Sequence, residues 1–135
     1  MSSLRCVVLA QRLTRRLCSA CRQPYTPTRE ELAEVGISIS DLTGPIYRPK
    51  SGGCPSCLGT GYRGRVGIYE LLNVSEKIRA QVVQNLSSSV IRNTAVDEGM
   101  STLRMDGGRK VVQGLTSLEE VMRITQNDDY NLEGL

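Results

Sequence analysis

The stretch GGCPSCLGTGYRGRVGIYE, residues 52–70, decides the fold. It joins a C-x-x-C pair, Cys54 and Cys57, to a run of glycines and then to an apolar pattern. A second such pair, Cys18 and Cys21, lies upstream across a gap of thirty-two residues, Arg22 to Gly53. A two-residue spacer lets both thiolates of a pair turn toward one cation, and two pairs complete a tetrahedron. Four sulfurs point to zinc, with iron as the minor alternative. Four protein ligands leave no position for water, so the site is expected to be structural and no residue is assigned a catalytic role. The competing readings are two disulfides, which suit secreted chains, and two redox pairs, which would be expected near a βαβ pattern. The remaining thiol, Cys6, sits in an apolar run and is expected to be a small buried residue.

Gly59, Gly61, Gly64 and Gly67 follow the second pair. A phosphate cradle would need G-x-x-x-x-G-K-[ST], which is absent here and at Gly107–Lys110. The glycines are expected to let the backbone wrap close to a metal and then enter a strand. In that strand Val66, Ile68, Glu70 and Leu72 share one face, and Tyr69 and Leu71 the other. Apolar residues on both faces predict a strand buried on both sides within a larger sheet. Leu9, Leu13 and Leu17 fit a helix or a strand equally well.

Thr28 and Glu31 form a capping box for a short helix with Leu32 and Val35 inward and Gly36 as its stop. GPIYRP, residues 44–49, reads as extended chain. Four helices are expected after Asn73. The first is capped by Ser75, with Ile78, Val82 and Leu86 inward; the second runs through Ile91 and Ala95 to Gly99. The third opens near Ser101 and is weakened by Gly107 and Gly108. The fourth has Thr116 and Glu119 as its capping box and Leu118, Val121 and Met122 inward. The polar tail from Asn127 is expected to fray.

Composition narrows the chemistry. The 135 residues contain no His, which removes the usual general base, the His-assisted nucleophiles and His-containing metal sites. A net charge of +3 is too small to argue for nucleic acid. No apolar run has membrane-spanning length. The acid-free start, with Arg5, Arg12, Arg15, Arg16, Arg22 and Arg29 before the first acid at Glu30, also fits a transit peptide. That reading competes with a structural segment running into the first cysteine pair, and a cytoplasmic chain is the default expectation.

SSLRCVVLAQRLTRRLCSAC, GPIYRPKSGGCPSCLGTGYRGRVGIYELL and GMSTLRMDGGRKVVQGLTSLEEVMRITQ together resemble the C-terminal end of the type II secretion and type IV pilus assembly ATPases. The secretion branch looks the closer of the two. The resemblance implies an α+β fragment of a RecA-like P-loop NTPase: β-hairpin strands elaborated by a four-cysteine zinc subdomain, then a small four-helix C-terminal domain. Its expected divisions are 1–17 (end of the NTPase core segment), 18–63 (zinc subdomain), 64–74 (returning strand), 75–126 (helical domain) and 127–135 (tail). Cys18, Cys21, Cys54 and Cys57 match the family's zinc ligands, one zinc per chain. Relatives that retract pili lack the zinc insertion and form a short hairpin from the equivalents of AQRLTRRL and RVGIYELL.

The family's motors are hexameric and work at the cytoplasmic face of the inner membrane, against platform proteins. The expected partners are therefore the remaining ATPase domains, neighbouring subunits and that platform, with no nucleic acid. ATP and magnesium belong to the full-length parent, because Walker A and B motifs are absent here. The chain is thus expected to be a portion of a longer motor subunit and inactive alone. Two other classes stay open: a module like the J-domain co-chaperone zinc repeat, on C-x-x-C-x-G-x-G at Cys54–Gly61, and a nucleic-acid-binding zinc ribbon, on the basic residues from Arg12 to Arg22.

Overall fold

The computed structural model describes residues 6–133. In chain order the elements are β1 (Val7–Leu17), β2 (Gln23–Tyr25), α1 (Arg29–Glu34), β3 (Ile46–Arg48), β4 (Tyr62–Asn73), α2 (Glu76–Val83), α3 (Ser88–Asp97), α4 (Leu103–Val112) and α5 (Leu118–Glu133). The class is α+β.

β1 and β4 pair antiparallel, with Val7 opposite Asn73 and Arg15 opposite Arg65, and the register shifts between Arg15 and Leu17. The ambiguous leucines of β1 therefore lie in a strand. Everything from Cys18 to Gly61 is an excursion between the two hairpin strands. β2 and β3 form a second small antiparallel ladder within it, from Gln23 opposite Arg48 to Tyr25 opposite Ile46.

The expectation of a strand buried on both faces is corrected. Ile68 and, opposite Val66, Thr14 are fully buried beneath the helices. The other face carries Val7, Leu9, Leu13, Tyr69 and Leu71, which are 43–60% exposed. Among the described residues the sheet has only two strands, so nothing covers that face.

The local signals in the excursion hold. Thr28 and Glu31 form the capping box of α1 in both directions, and Leu32 and Val35 are buried. The core joins Val35 and Ile46 from the excursion to Val111, Leu118 and Val121 from α4 and α5. The helix glycines are part of that packing. A β-carbon on Gly107 would lie 2.5 Å from Val121 Cγ1, and one on Gly108 2.9 Å from Ile37 Cδ1. They permit close approach of α4 to its neighbours and are more than irregularities.

Further corrections follow from tertiary contacts. Cys6 is exposed. In α2, Ile78 is buried as expected, whereas Val82 is 56% exposed and Leu86, which lies past the end of the helix, is 39% exposed. The cap of α5 is Ser117, whose Oγ accepts from the Glu120 N–H at 3.1 Å. Thr116, the expected cap, instead bonds to Thr14. α5 is helical to Glu133, and the last two residues of the tail, 134–135, lie outside the described residues.

Polar anchors tie the helices to the hairpin. Glu70 accepts from both Nη atoms of Arg92 in α3 and from the Leu103 N–H at the start of α4. Asp106 accepts from the Tyr69 N–H at 2.8 Å, on the strand edge turned away from β1. Burial raises the Asp106 carboxyl, but that N–H and the Arg109 and Lys110 cations outweigh it, and its pKa ends below the ordinary value. No helix among the described residues is long and apolar enough to cross a membrane.

Candidate metal centre

Each cysteine pair sits on a tight turn at one end of the excursion. At the first, the Cys21 and Arg22 N–H groups both donate to the Cys18 carbonyl, at 3.3 and 2.9 Å. At the second, Pro55–Cys57 is a single 3-10 turn, and the Gly59 N–H returns to the Cys54 carbonyl at 3.0 Å. Leu58 holds a left-handed conformation, φ 57°, at the tip of this knuckle. That conformation costs a β-carbon-bearing residue roughly 1–2 kcal/mol, so the surrounding bonds enforce it. Gly53 is required at its position: φ is +59°, and a β-carbon there would lie 2.8 Å from Cys57 Sγ and 2.5 Å from the Gly59 backbone. The two knuckles are joined directly, the Cys18 N–H donating to the Gly61 carbonyl at 3.0 Å.

This geometry brings all four predicted ligands together. The Sγ atoms of Cys18, Cys21, Cys54 and Cys57 lie within 4.8 Å of one another. The Sγ atoms of Cys18 and Cys54 are 3.8 Å apart, and those of Cys21 and Cys57 3.9 Å. A zinc ion with Zn–S bonds of about 2.3 Å needs tetrahedron edges of about 3.8 Å. A disulfide would need about 2.05 Å, and all five cysteines are free. The donor set therefore fits a closed tetrathiolate metal site. Cys18 and Cys57 are buried, and Cys21 and Cys54 are partly exposed.

The thiols are electrostatically unequal. The Cys54 N–H donates to Cys57 Sγ at 3.2 Å and the Gly61 N–H at 3.1 Å. These donors, led by that of Cys54, hold the Cys57 thiol down at about 6. Burial, followed by the neighbouring sulfurs, pushes the Cys21 thiol up to about 12. Four crowded thiolates repel one another, and a divalent cation relieves that repulsion. Backbone N–H groups aimed at sulfur orient it and spread its charge, as outer partners of a metal site do. A metal held by these four sulfurs would cross-link the two knuckles.

Arg63 Nη1 donates to Ser56 Oγ at 3.0 Å, within the second knuckle. Sequence reasoning missed the arginines that connect the knuckles to the helices. The Arg15 guanidinium lies 4.2 Å from the Tyr62 ring centroid and that of Arg22 3.9 Å from that of Tyr47. Their residue types carry no such signal, since the partners lie far away along the chain.

Comparison with known proteins gives the class. The chain matches the family described as type II/IV secretion system protein over residues 1–123. It belongs to that family. Among its curated relatives, a type IV pilus assembly ATPase of Thermus thermophilus is 44% identical over 119 residues, covering 87% of this chain and 13% of that protein. The type II secretion system protein E of Dickeya dadantii is 40% identical, covering 90% of this chain and 23% of that protein. Another pilus assembly ATPase, from Acinetobacter baylyi, is 41% identical over 88% of this chain and 21% of its own length. The chain thus spans less than a quarter of each of these relatives. Both kinds of relative match at similar identity, so the expected closeness to the secretion branch is not distinguished.

Proposed function

We propose that this chain is the zinc-binding and helical C-terminal portion of a hexameric RecA-like motor ATPase of protein secretion or pilus assembly. The observation that carries this reading is the clustering of four sulfurs within 4.8 Å of one another in a chain aligned with that family along nearly all its length. Cys18, Cys21, Cys54 and Cys57 hold one zinc per chain. The zinc closes the base of the long excursion and offsets the entropy of keeping it in one shape.

The role is mechanical. The portion stiffens the motor subunit and offers surfaces to the remaining ATPase domains, to neighbouring subunits and to an inner-membrane platform on the cytoplasmic side. ATP and magnesium are handled elsewhere in the parent, since this chain carries neither Walker motif. The uncovered face of β1 and β4 supports a larger sheet or domain packed there, because an apolar face of this kind favours a partner over water.

The test is metal analysis of the chain after treatment with reducing agent. One zinc per chain is expected, and Cys54→Ser is expected to lose the metal and lower the melting temperature. Finding no metal, or unchanged stability in Cys54→Ser, would overturn the reading.

A further inference from the structure

The linker between α4 and α5, Gly114–Ser117, is held along its whole length by residues that flank the cysteines. The Gly114 carbonyl accepts from Arg22 Nη1 at 2.6 Å. The Leu115 carbonyl accepts from the Leu17 N–H at 2.9 Å. Thr116 Oγ1 lies 2.8 Å from Thr14 Oγ1 and donates to the Arg15 carbonyl at 2.8 Å. Ser117 Oγ lies 2.8 Å from the Tyr62 hydroxyl. Leu17 immediately precedes Cys18, Arg22 immediately follows Cys21, and Tyr62 follows Gly61, which bonds both to Cys18 and to Cys57 Sγ. Gly114 has room for no side chain, since a β-carbon there would meet the Arg22 guanidinium and the Tyr47 ring.

We infer that the metal site is a clamp on the α4–α5 linker. With metal bound, the knuckles hold Leu17, Arg22 and Tyr62 where they grip Gly114–Ser117, and the grip seats α5 against the hairpin. Without metal the two knuckles lose their cross-link and the grip loosens. The coupling is reciprocal: whatever the metal does for the linker, the linker does for metal affinity. Arg22 is then a positioning residue, acting through Gly114 and Tyr47. The inference rests on the four cysteines being a metal site, as proposed above.

The test uses the chain loaded with cobalt, whose absorption bands report four-sulfur coordination, titrated against a competing chelator. Arg22→Ala is expected to bind cobalt about tenfold more weakly with an unchanged spectrum. Arg22→Lys is expected to recover part of the loss, because an ammonium reaches the carbonyl without stacking on tyrosine. In the zinc-loaded wild type, removing metal is expected to speed amide exchange at Arg15 and Leu17 about tenfold or more, while amides in α3 keep their protection.

Cobalt bound by four sulfurs with equal affinity in Arg22→Ala, together with unchanged exchange at Arg15 and Leu17, would overturn the clamp and leave the metal site standing. Absence of any cobalt binding would overturn both. Should Arg22→Ala fail to fold, the exchange experiment on wild type decides.

Discussion

Glu120, whose side chain is 1% exposed, accepts three hydrogen bonds from Arg15, 105 residues earlier in the chain. The Arg15 N–H lies 3.1 Å and Nε 3.2 Å from Oε1, and Nη2 lies 3.0 Å from Oε2. Arg123 adds Nη2 at 2.7 Å from Oε1. One carboxylate thus fastens α5 to β1 beside the first knuckle. Removing its charge leaves these donors partly unpaired. Glu120→Gln is expected to destabilise the chain by about 2 kcal/mol at neutral pH, discounted because both arginines are about half exposed. Urea denaturation with metal held saturating measures this, and an unchanged midpoint would show that the anchor contributes nothing.

The same carboxylate gives a pH signature. Burial raises its pKa, but the hydrogen bonds from Arg123 and then Arg15 outweigh burial and hold it at about 2, below the ordinary 4.5. A folded value below the unfolded one means the stabilisation is complete above about 4.5 and is lost as pH falls through about 2. Acid also releases a thiolate-bound metal, so the informative quantity is the difference between wild type and Glu120→Gln. That difference is expected to be constant above pH 5 and to shrink toward zero near pH 2. A difference independent of pH across this window would mean that the carboxylate titrates normally.

Gly107→Ala sets two effects against each other. Alanine is better than glycine in a helix interior by about 1 kcal/mol. The added carbon would meet Val121 Cγ1 at 2.5 Å within the core shared by α4 and α5. Overpacking of this kind costs about 1–3 kcal/mol, so a net loss of about 1 kcal/mol is expected in chemical denaturation. A gain in stability would mean that the helices separate freely.

Glycines near the metal should divide into two kinds. Gly53→Ala places a carbon against Cys57 Sγ and the Gly59 backbone, so weaker metal binding is expected. Gly64→Ala has a positive φ of +81° but nothing within 4 Å. It is expected to cost about 1 kcal/mol of stability and to leave metal affinity unchanged. Equal effects on cobalt affinity would remove the distinction.

The uncovered hairpin face is expected to drive self-association of the chain on its own. Replacing Leu9 and Leu71, which face each other across the strands and are 60% and 47% exposed, with Lys should suppress it while changing the melting temperature little. Sedimentation at several concentrations checks this; a wild type that stays monomeric throughout would contradict it.

The gathering of the four cysteines, the capping box at Thr28 and Glu31, the Ser75 cap and the stop at Gly99 were all readable from residue order. Each depends on partners a few residues apart, or on a repeated donor pattern that has few chemical uses. Tertiary contact alone decided the rest. Thr116 left the cap position because Thr14 and the Arg15 carbonyl claim its hydroxyl. Glu120 lies inside because two arginines meet it there. Gly107 is a packing residue because Val121 fills the space above it. One face of the hairpin is exposed because the described elements pack on the other. In each case the deciding energy comes from an atom distant in sequence, and period or propensity carries no information about it.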